Sequence, residues 1–205
     1  MQIPTLDREH VLWSEGCQCV AGMDEVGRGP LAGPVVAAAV VFRPGHPLVD
    51  GVRDSKTLTT KQRERLIDVI RNEALTWGVG AASVREIDRR NILRATALAM
   101  RRAVARLAIP PDRILIDGSP LPELRVQHEA IVGGDATCQS IAAASVLAKW
   151  TRDRLMLRLA VRYPNFLWDR NKGYATEEHL AAIETHGFTP HHRLSFAPFA
   201  QLRLL

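Results

Sequence analysis

Four carboxylates stand where apolar runs give out, and together they have the chemistry of hard-cation ligands. Asp24 and Glu25 follow Val20, Ala21 and Met23; Asp117 follows Ile114-Leu115-Ile116; Asp135 follows the glycine pair Gly133-Gly134. Neighbouring side chains leave a strand on opposite faces of the pleat, so Asp24 and Glu25 are predicted to project to opposite sides of one strand end. Packed together without cations, four such acids would repel and raise one another's pKa values. Oxygen-only donors favour Mg²⁺ or Mn²⁺ over zinc. The pattern suits a two-metal phosphodiester site, and it also suits four separate turn or capping residues. Spacing alone leaves both readings open.

The acidic pair runs directly into Val26-Gly27-Arg28-Gly29-Pro30. Glycine permits close backbone approach, and Arg28 offers a planar donor fork to a phosphate or a sugar hydroxyl. Lys56 ends a loop ahead of a helix carrying Lys61, Arg63 and Arg65, which makes it a candidate for a backbone phosphate. Tyr174 presents a flat face suited to a sugar or base. Lys149 and Arg152 are read as a mixture of phosphate contact and buried ion pairing, with Asp153 or a metal-bound acid as partner. His191 and His192, in a proline loop, are read as packing or capping residues.

The elements that must hold these residues read as follows. Val20 to Met23 is a short buried strand, and Val35 to Phe42 is an apolar run that fits a strand covered on both faces. Thr59 and Gln62 form a capping box for a basic helix to about Asn72, and Thr76 to Ala82 is a third strand. Ser83 and Glu86 cap the next helical region, predicted to place Leu93, Ala97, Met100, Val104 and Leu107 on one face until Pro110-Pro111 stops it. Ile114 to Ile116 is a strand, and Leu124 to Val132 is another candidate. Gln139 to about Tyr163 is a long helix whose first half is almost wholly apolar and therefore central, and Thr176 opens a last helix that closes at Gly187.

Composition fits one soluble domain: 205 residues, 46% hydrophobic, mean hydropathy −0.07. A net charge of +5 and a pI near 9.6 favour an anionic partner such as nucleic acid. Cys17, Cys19 and Cys138 are too few and too irregular for a disulfide framework or a four-ligand zinc site, so free thiols in a cytoplasmic protein are expected. Asp7, Arg8 and Glu9 stand where a signal peptide would be apolar, and no run approaches the ~18 apolar residues of a spanning helix. Neither secretion nor membrane insertion is expected.

From Val20 to Pro198 the chain resembles the type 2 ribonuclease H family, in its bacterial ribonuclease HII branch. The resemblance rests on Asp24-Glu25-Val26-Gly27-Arg28-Gly29-Pro30, Asp54-Ser55-Lys56, Ile116-Asp117-Gly118, Gly134-Asp135, Ser140 to Ser145, Ala148-Lys149, Thr151-Arg152-Asp153, Lys172-Gly173-Tyr174 and Thr189 to Phe196. It implies an α/β ribonuclease H-like fold with a mixed central sheet flanked by helices. It also implies hydrolysis of RNA in RNA–DNA hybrids and at single ribonucleotides in duplex DNA, cut on the 5′ side to leave 3′-hydroxyl and 5′-phosphate. Asp24, Glu25, Asp117 and Asp135 become the metal-binding catalytic acids for Mg²⁺ or Mn²⁺. Gly27, Arg28 and Gly29 become the loop at the 2′-hydroxyl, and Tyr174 the ring on the sugar at the RNA-to-DNA junction.

The chain departs from that pattern in places. Phe166-Leu167-Trp168 stands where relatives tend to have Tyr-Gly-Phe, Ala175 where glycine is common, and Gly133 where lysine is common; a different loop backbone is expected around Leu167. One catalytic domain over 1–198 and a short tail over 199–205 are expected, in a monomer. The tail Gln201-Leu202-Arg203-Leu204-Leu205 resembles peptides that dock on bacterial sliding clamps, and a final apolar turn folded onto the domain is its other reading.

Overall fold

The computed structural model describes residues 3–197 and residue 199. Its centre is a five-stranded sheet in the order β3-β2-β1-β4-β5, from β1 (Val20–Val26), β2 (Val35–Val41), β3 (Thr76–Ala82), β4 (Arg113–Asp117) and β5 (Glu129–Ile131). β1 runs antiparallel to β2 and parallel to β4, with Met23 opposite Ile116. The parallel pairing sends the ends of β1 and β4 to the same edge of the sheet. That is how residues about ninety positions apart come to share one rim.

Both faces are covered, which explains why β2 is buried at every position. On one face lie α2 (Thr60–Glu73) and α6 (Gln139–Arg162), where Ala38 and Val40 pack against Ala142, Val146 and Leu147. Gly22 is a close-approach position, since a Cβ there would lie 2.2 Å from Ser140 Oγ and 2.4 Å from Ile141 N. On the other face lie α3 (Val84–Arg90) and α4 (Ile92–Val104), where Ala37 and Ala39 meet Ala97, Met100 and Ala103. The capping boxes at Thr59/Gln62 and Ser83/Glu86 both form.

Beyond α6 the chain builds a lobe of α7 (Trp168–Asn171) and α8 (Glu177–His186). Met156, Phe166, Trp168, Ala182 and Ile183 pack there against Leu31 and Ala32. Phe199, grouped by sequence with the tail, is 5% exposed and meets Phe188 with ring centroids 4.9 Å apart, so packing carries through that position. The clamp-like peptide Gln201–Leu205 lies outside the described residues. Among the described residues no helix is long and apolar enough to cross a membrane.

The structure adds one helix and corrects three expectations. α1 (Asp7–Ser14) is a helix that the sequence did not announce, and its buried Glu9 accepts from Ser140 N at 2.9 Å, lending a carboxylate to the start of α6. The helical arm after Ser83 breaks at Asn91, whose φ of 68° separates α3 from α4. Leu93 shares the face of Ala97 and Met100 but sits in the first turn of α4 beside the open cleft at Glu25 and Asp117, so it is 40% exposed instead of buried. The strand expected over 124–132 shrinks to β5, because Pro122–Leu124 form a 3₁₀ turn and Arg125 is left-handed at φ 57°.

Candidate active site

The pleat places the acidic pair as its alternation requires. Asp24 faces α6 and is 7% exposed, with the Ser145 hydroxyl near enough to oppose the rise of its pKa and Glu25 N donating to its Oδ1 at 2.7 Å. Glu25 faces α4, where its Oε1 accepts from Arg28 Nη1 at 3.1 Å. Asp117 ends β4 on the same rim, and its Oδ1 receives Asp135 N at 3.4 Å. Asp135 sits in α5 (Gly134–Thr137), a single turn that carries the chain from β5 to α6.

The electrostatics register this convergence. Burial pushes the Asp24 carboxyl well above the usual carboxylate range, and the charges of Glu25 and Asp117 add to the rise. Burial also raises Glu25, reinforced by Asp117 and opposed by the guanidinium of Arg28. Asp117 rises through burial and then through the charge of Asp135. These acids are short of positive charge and their donors are all oxygen, which suits a hard divalent cation. Among the described residues no three carboxylate, imidazole or thiolate groups close into a ligand shell. The acids share a field across an open rim.

Lys56 supplies part of the missing charge, with Nζ 3.2 Å from Asp135 Oδ2. Burial alone would lower its pKa, but Asp135, Asp54 and Asp24 together hold it above the ordinary lysine value. Its side chain is still 77% exposed, so a phosphate can reach it without any rearrangement of the core.

The loop after β1 lies beside this rim. Gly27 has φ 91°, and a Cβ on it would come 2.1 Å from Arg152 Nε, so the fold itself demands glycine there. Gly29 is different: a Cβ would meet only Tyr174 Cε1 at 3.7 Å, an ordinary contact. Leu31 N and Ala32 N donate to Gly173 O at 2.8 and 3.2 Å, tying the loop to the turn that carries Tyr174. The ring is 49% exposed. Arg28, expected to offer its fork to substrate, spends one nitrogen on Glu25.

A cleft of about 330 Å³ opens beside Glu25, Arg28 and Asp117, floored by Met100 and Ile116. The buried Thr96 hydroxyl lines it without a hydrogen-bond partner. A larger cavity of about 510 Å³ lies between residues 46–53 and α2, and none of the four acids lines it. Size therefore does not locate the chemistry here.

Of the flanking charges, Lys149 forms the ion pair that the sequence suggests and Arg152 does not. Lys149 Nζ meets Asp153 Oδ1 at 2.7 Å, as an ion pair. Arg152 is fully buried and donates instead to the carbonyls of Ala32, Pro34 and Lys172, each at 3.0 Å. His192 is a packing residue: its Nδ1 accepts from Thr189 N at 2.9 Å and its Nε2 lies 3.2 Å from His179 Nε2. Arg193, to which no separate role was given, is buried against the loop after β1. Its partners are main-chain oxygens, which leave no mark in side-chain identities.

An oxygen-only acidic rim beside a cationic, glycine-shaped loop has the donor chemistry of metal-assisted phosphodiester hydrolysis. The chain matches the family described as Ribonuclease HII over residues 21–199. It is 54% identical over 198 residues to the Ribonuclease HII of Paracidovorax citrulli, covering 97% of this chain and 82% of that one. It is 56% identical over 186 residues to the Ribonuclease HII of Sphingopyxis alaskensis, covering 91% and 92%. The crystal structure of ribonuclease H2 from Pyrococcus horikoshii OT3 superposes with a TM-score of 0.75 at 27% identity, over 91% of this chain and 97% of that one. The chain belongs to the ribonuclease HII family, metal-dependent endonucleases acting on RNA–DNA hybrids. The mixed sheet with flanking helices is the ribonuclease H-like fold expected from the sequence.

Proposed function

We propose that this enzyme cuts at single ribonucleotides embedded in duplex DNA as well as within longer hybrids. Cleavage falls on the 5′ side of the ribonucleotide and leaves 3′-hydroxyl and 5′-phosphate. The observation that carries the reading is the meeting of Asp24, Glu25, Asp117 and Asp135 on one rim with the Gly27–Gly29 loop and Tyr174 alongside. Asp24, Glu25, Asp117 and Asp135 would hold the cations, Mg²⁺ or Mn²⁺. Two such cations, when bound, activate the attacking water and neutralise the leaving oxygen.

The protein's own groups do the positioning. Asp24 and Glu25 reach the rim from opposite faces of β1, so one strand end serves both sides of the scissile phosphate. Lys56 shields Asp135 and contacts a neighbouring phosphate, while Arg28 is held by Glu25 at the mouth of the cleft. A 2′-hydroxyl is the group that separates RNA from DNA at the cut. The loop at Gly27–Gly29 lies close enough to Tyr174 for both to meet one sugar.

The test uses two labelled duplexes, one with a lone ribonucleotide and one with a continuous RNA strand, each with Mg²⁺ and with Mn²⁺. Cleavage of the first 5′ of its ribonucleotide is expected. Tyr174→Ala should reduce that reaction far more than cleavage of the continuous hybrid, since one sugar must be placed at a unique junction. Equal losses on both duplexes would remove Tyr174 from the substrate site.

A further inference from the structure

Arg193 has no exposed surface, and its hydrogen bonds run to the loop after β1. Nε and Nη2 donate to Gly33 O at 2.9 and 2.7 Å, Nη2 also to Gly27 O at 2.6 Å, and Nη1 to Arg28 O at 2.9 Å. Burying a guanidinium is costly, and closing a loop does not require one. What a guanidinium adds is a rigid, planar fork able to gather several carbonyls at fixed angles.

The peptide unit is planar and trans, so its N–H points away from its C=O. With Gly27 O and Arg28 O both turned toward Arg193, the N–H groups of Arg28 and Gly29, which belong to those two peptides, point to the opposite side. Among the described residues neither N–H donates to a protein acceptor. Gly29 carries no side chain to cover them, and Tyr174 flanks the position. The result is a pair of free donors beside an aromatic face. Arg152 then bonds Ala32 O and Pro34 O on one side and Lys172 O on the other, which fixes the donors relative to the turn bearing Tyr174.

We propose that Arg193 is a positioning residue for ribose recognition: by drawing the carbonyls of Gly27 and Arg28 inward it aims the N–H groups of Arg28 and Gly29 at the 2′-oxygen, which is read as a hydrogen-bond acceptor. The proposal rests on the reading of the Gly27–Gly29 loop as the 2′-hydroxyl site. It adds what holds the loop's main-chain donors in place. Lysine at 193 keeps the charge but has a single nitrogen, so it cannot hold the two carbonyls and Gly33 O in one plane.

The experiment compares binding of two duplexes in Ca²⁺, one all DNA and one with a single ribonucleotide, for the unmodified protein and Arg193→Lys. The unmodified protein should prefer the ribonucleotide duplex. Arg193→Lys should lose that preference by tenfold or more while its Kd for the all-DNA duplex stays within twofold, because phosphate contacts are untouched. A folded Arg193→Lys that keeps the preference overturns the proposal. If the unmodified protein shows no preference, the reading of the loop fails and takes the proposal with it. Should Arg193→Lys not fold, Asp88→Asn replaces it: Asp88 accepts from Leu194 N at 3.3 Å and Ser195 N at 3.1 Å and so steadies the segment carrying Arg193. At an unchanged Tm, about a threefold loss of preference is then expected, and no loss overturns the proposal.

Discussion

The acidic rim and the polar cluster behind it treat buried polar groups in opposite ways. On the rim, burial raises Asp24, Glu25 and Asp117 and a neighbouring carboxylate adds to each rise, while the positive charge nearby comes from Arg28 and Lys56 at the edges. Behind it, each group finds a partner. Thr189 N donates to His192 Nδ1, Trp168 Nε1 donates to His179 Nε2 at 3.0 Å, and His179 Nδ1 reaches Tyr174 O at 2.8 Å. With Nδ1 donating to Tyr174 O and Nε2 accepting from Trp168, the His179 tautomer is fixed, and the His192 ring packs against it as a neutral imidazole. A satisfied cluster specifies shape. A frustrated one waits for a ligand.

The largest expected effect lies on the rim. Asp24→Asn should reduce cleavage in Mg²⁺ at least ~10³-fold, about 4 kcal/mol of transition-state stabilisation. The same change removes a buried, repelled charge, so the melting temperature of the metal-free protein should hold or rise. A variant that melts lower and still cuts would erase the contrast between the two regions.

Trp168→Ala strikes the other region. The indole is fully buried between Phe166, His179 and His192, and its loss should cost ~3–5 kcal/mol. For a chain of this size that is roughly a 6–20 °C fall in Tm by calorimetry. Little change would mean that the cluster does not specify the lobe.

Acid should separate the regions by sign. Burial holds His192 down to about 4, with the neighbouring His179 adding to the shift, and His179 itself is lowered mainly by burial. A histidine depressed in the folded state binds fewer protons there than in the unfolded chain. Its stabilisation is therefore complete above the unfolded value of roughly 6.5 and drains away as pH falls toward about 4. The raised carboxylates act oppositely in metal-free protein, since protonating them relieves repulsion. Melting curves from pH 7.5 to 4 should thus show a loss at low pH that is shallower in His192→Gln. An identical slope in both proteins would remove the histidine pair as its source.

The smallest effect contrasts two glycines of one loop. Gly27→Ala collides with Arg152 and should lower stability, whereas Gly29→Ala has room inside the protein. Gly29→Ala should leave Tm within about a degree and slow cleavage at a lone ribonucleotide roughly tenfold, near 1.4 kcal/mol. Unimpaired cleavage by Gly29→Ala would place the sugar elsewhere.

Much of the site was legible because its signals are local: carboxylates at the ends of apolar strands, glycines around Arg28, and capping pairs three residues apart. What stayed hidden depends on partners that sequence does not spell. Arg152 and Arg193 bind main-chain oxygens, so no complementary acid marks their contacts. α1 has little apolar periodicity and turns inward a glutamate, the residue type least expected to mark a buried face. Leu167 shows the reverse case. It takes φ 54°, the left-handed region that favours glycine, so the leucine bears backbone strain that its residue type does not announce.

The pairing of β1 with β4 also governs when the enzyme can exist. Its lower edge is tied by Asp112, whose carboxylate accepts from Cys19 N at 2.9 Å across 93 positions of chain. Contacts so distant in sequence form late, after long loops have closed. As the polypeptide emerges during synthesis, Asp24 and Glu25 appear about ninety residues before Asp117, and Asp135 follows later still. A nascent fragment therefore carries half a set of acids and no rim. The topology acts as a safety catch, arming a nucleic-acid-cutting centre only once β4 has joined β1 and brought the later acids to its rim.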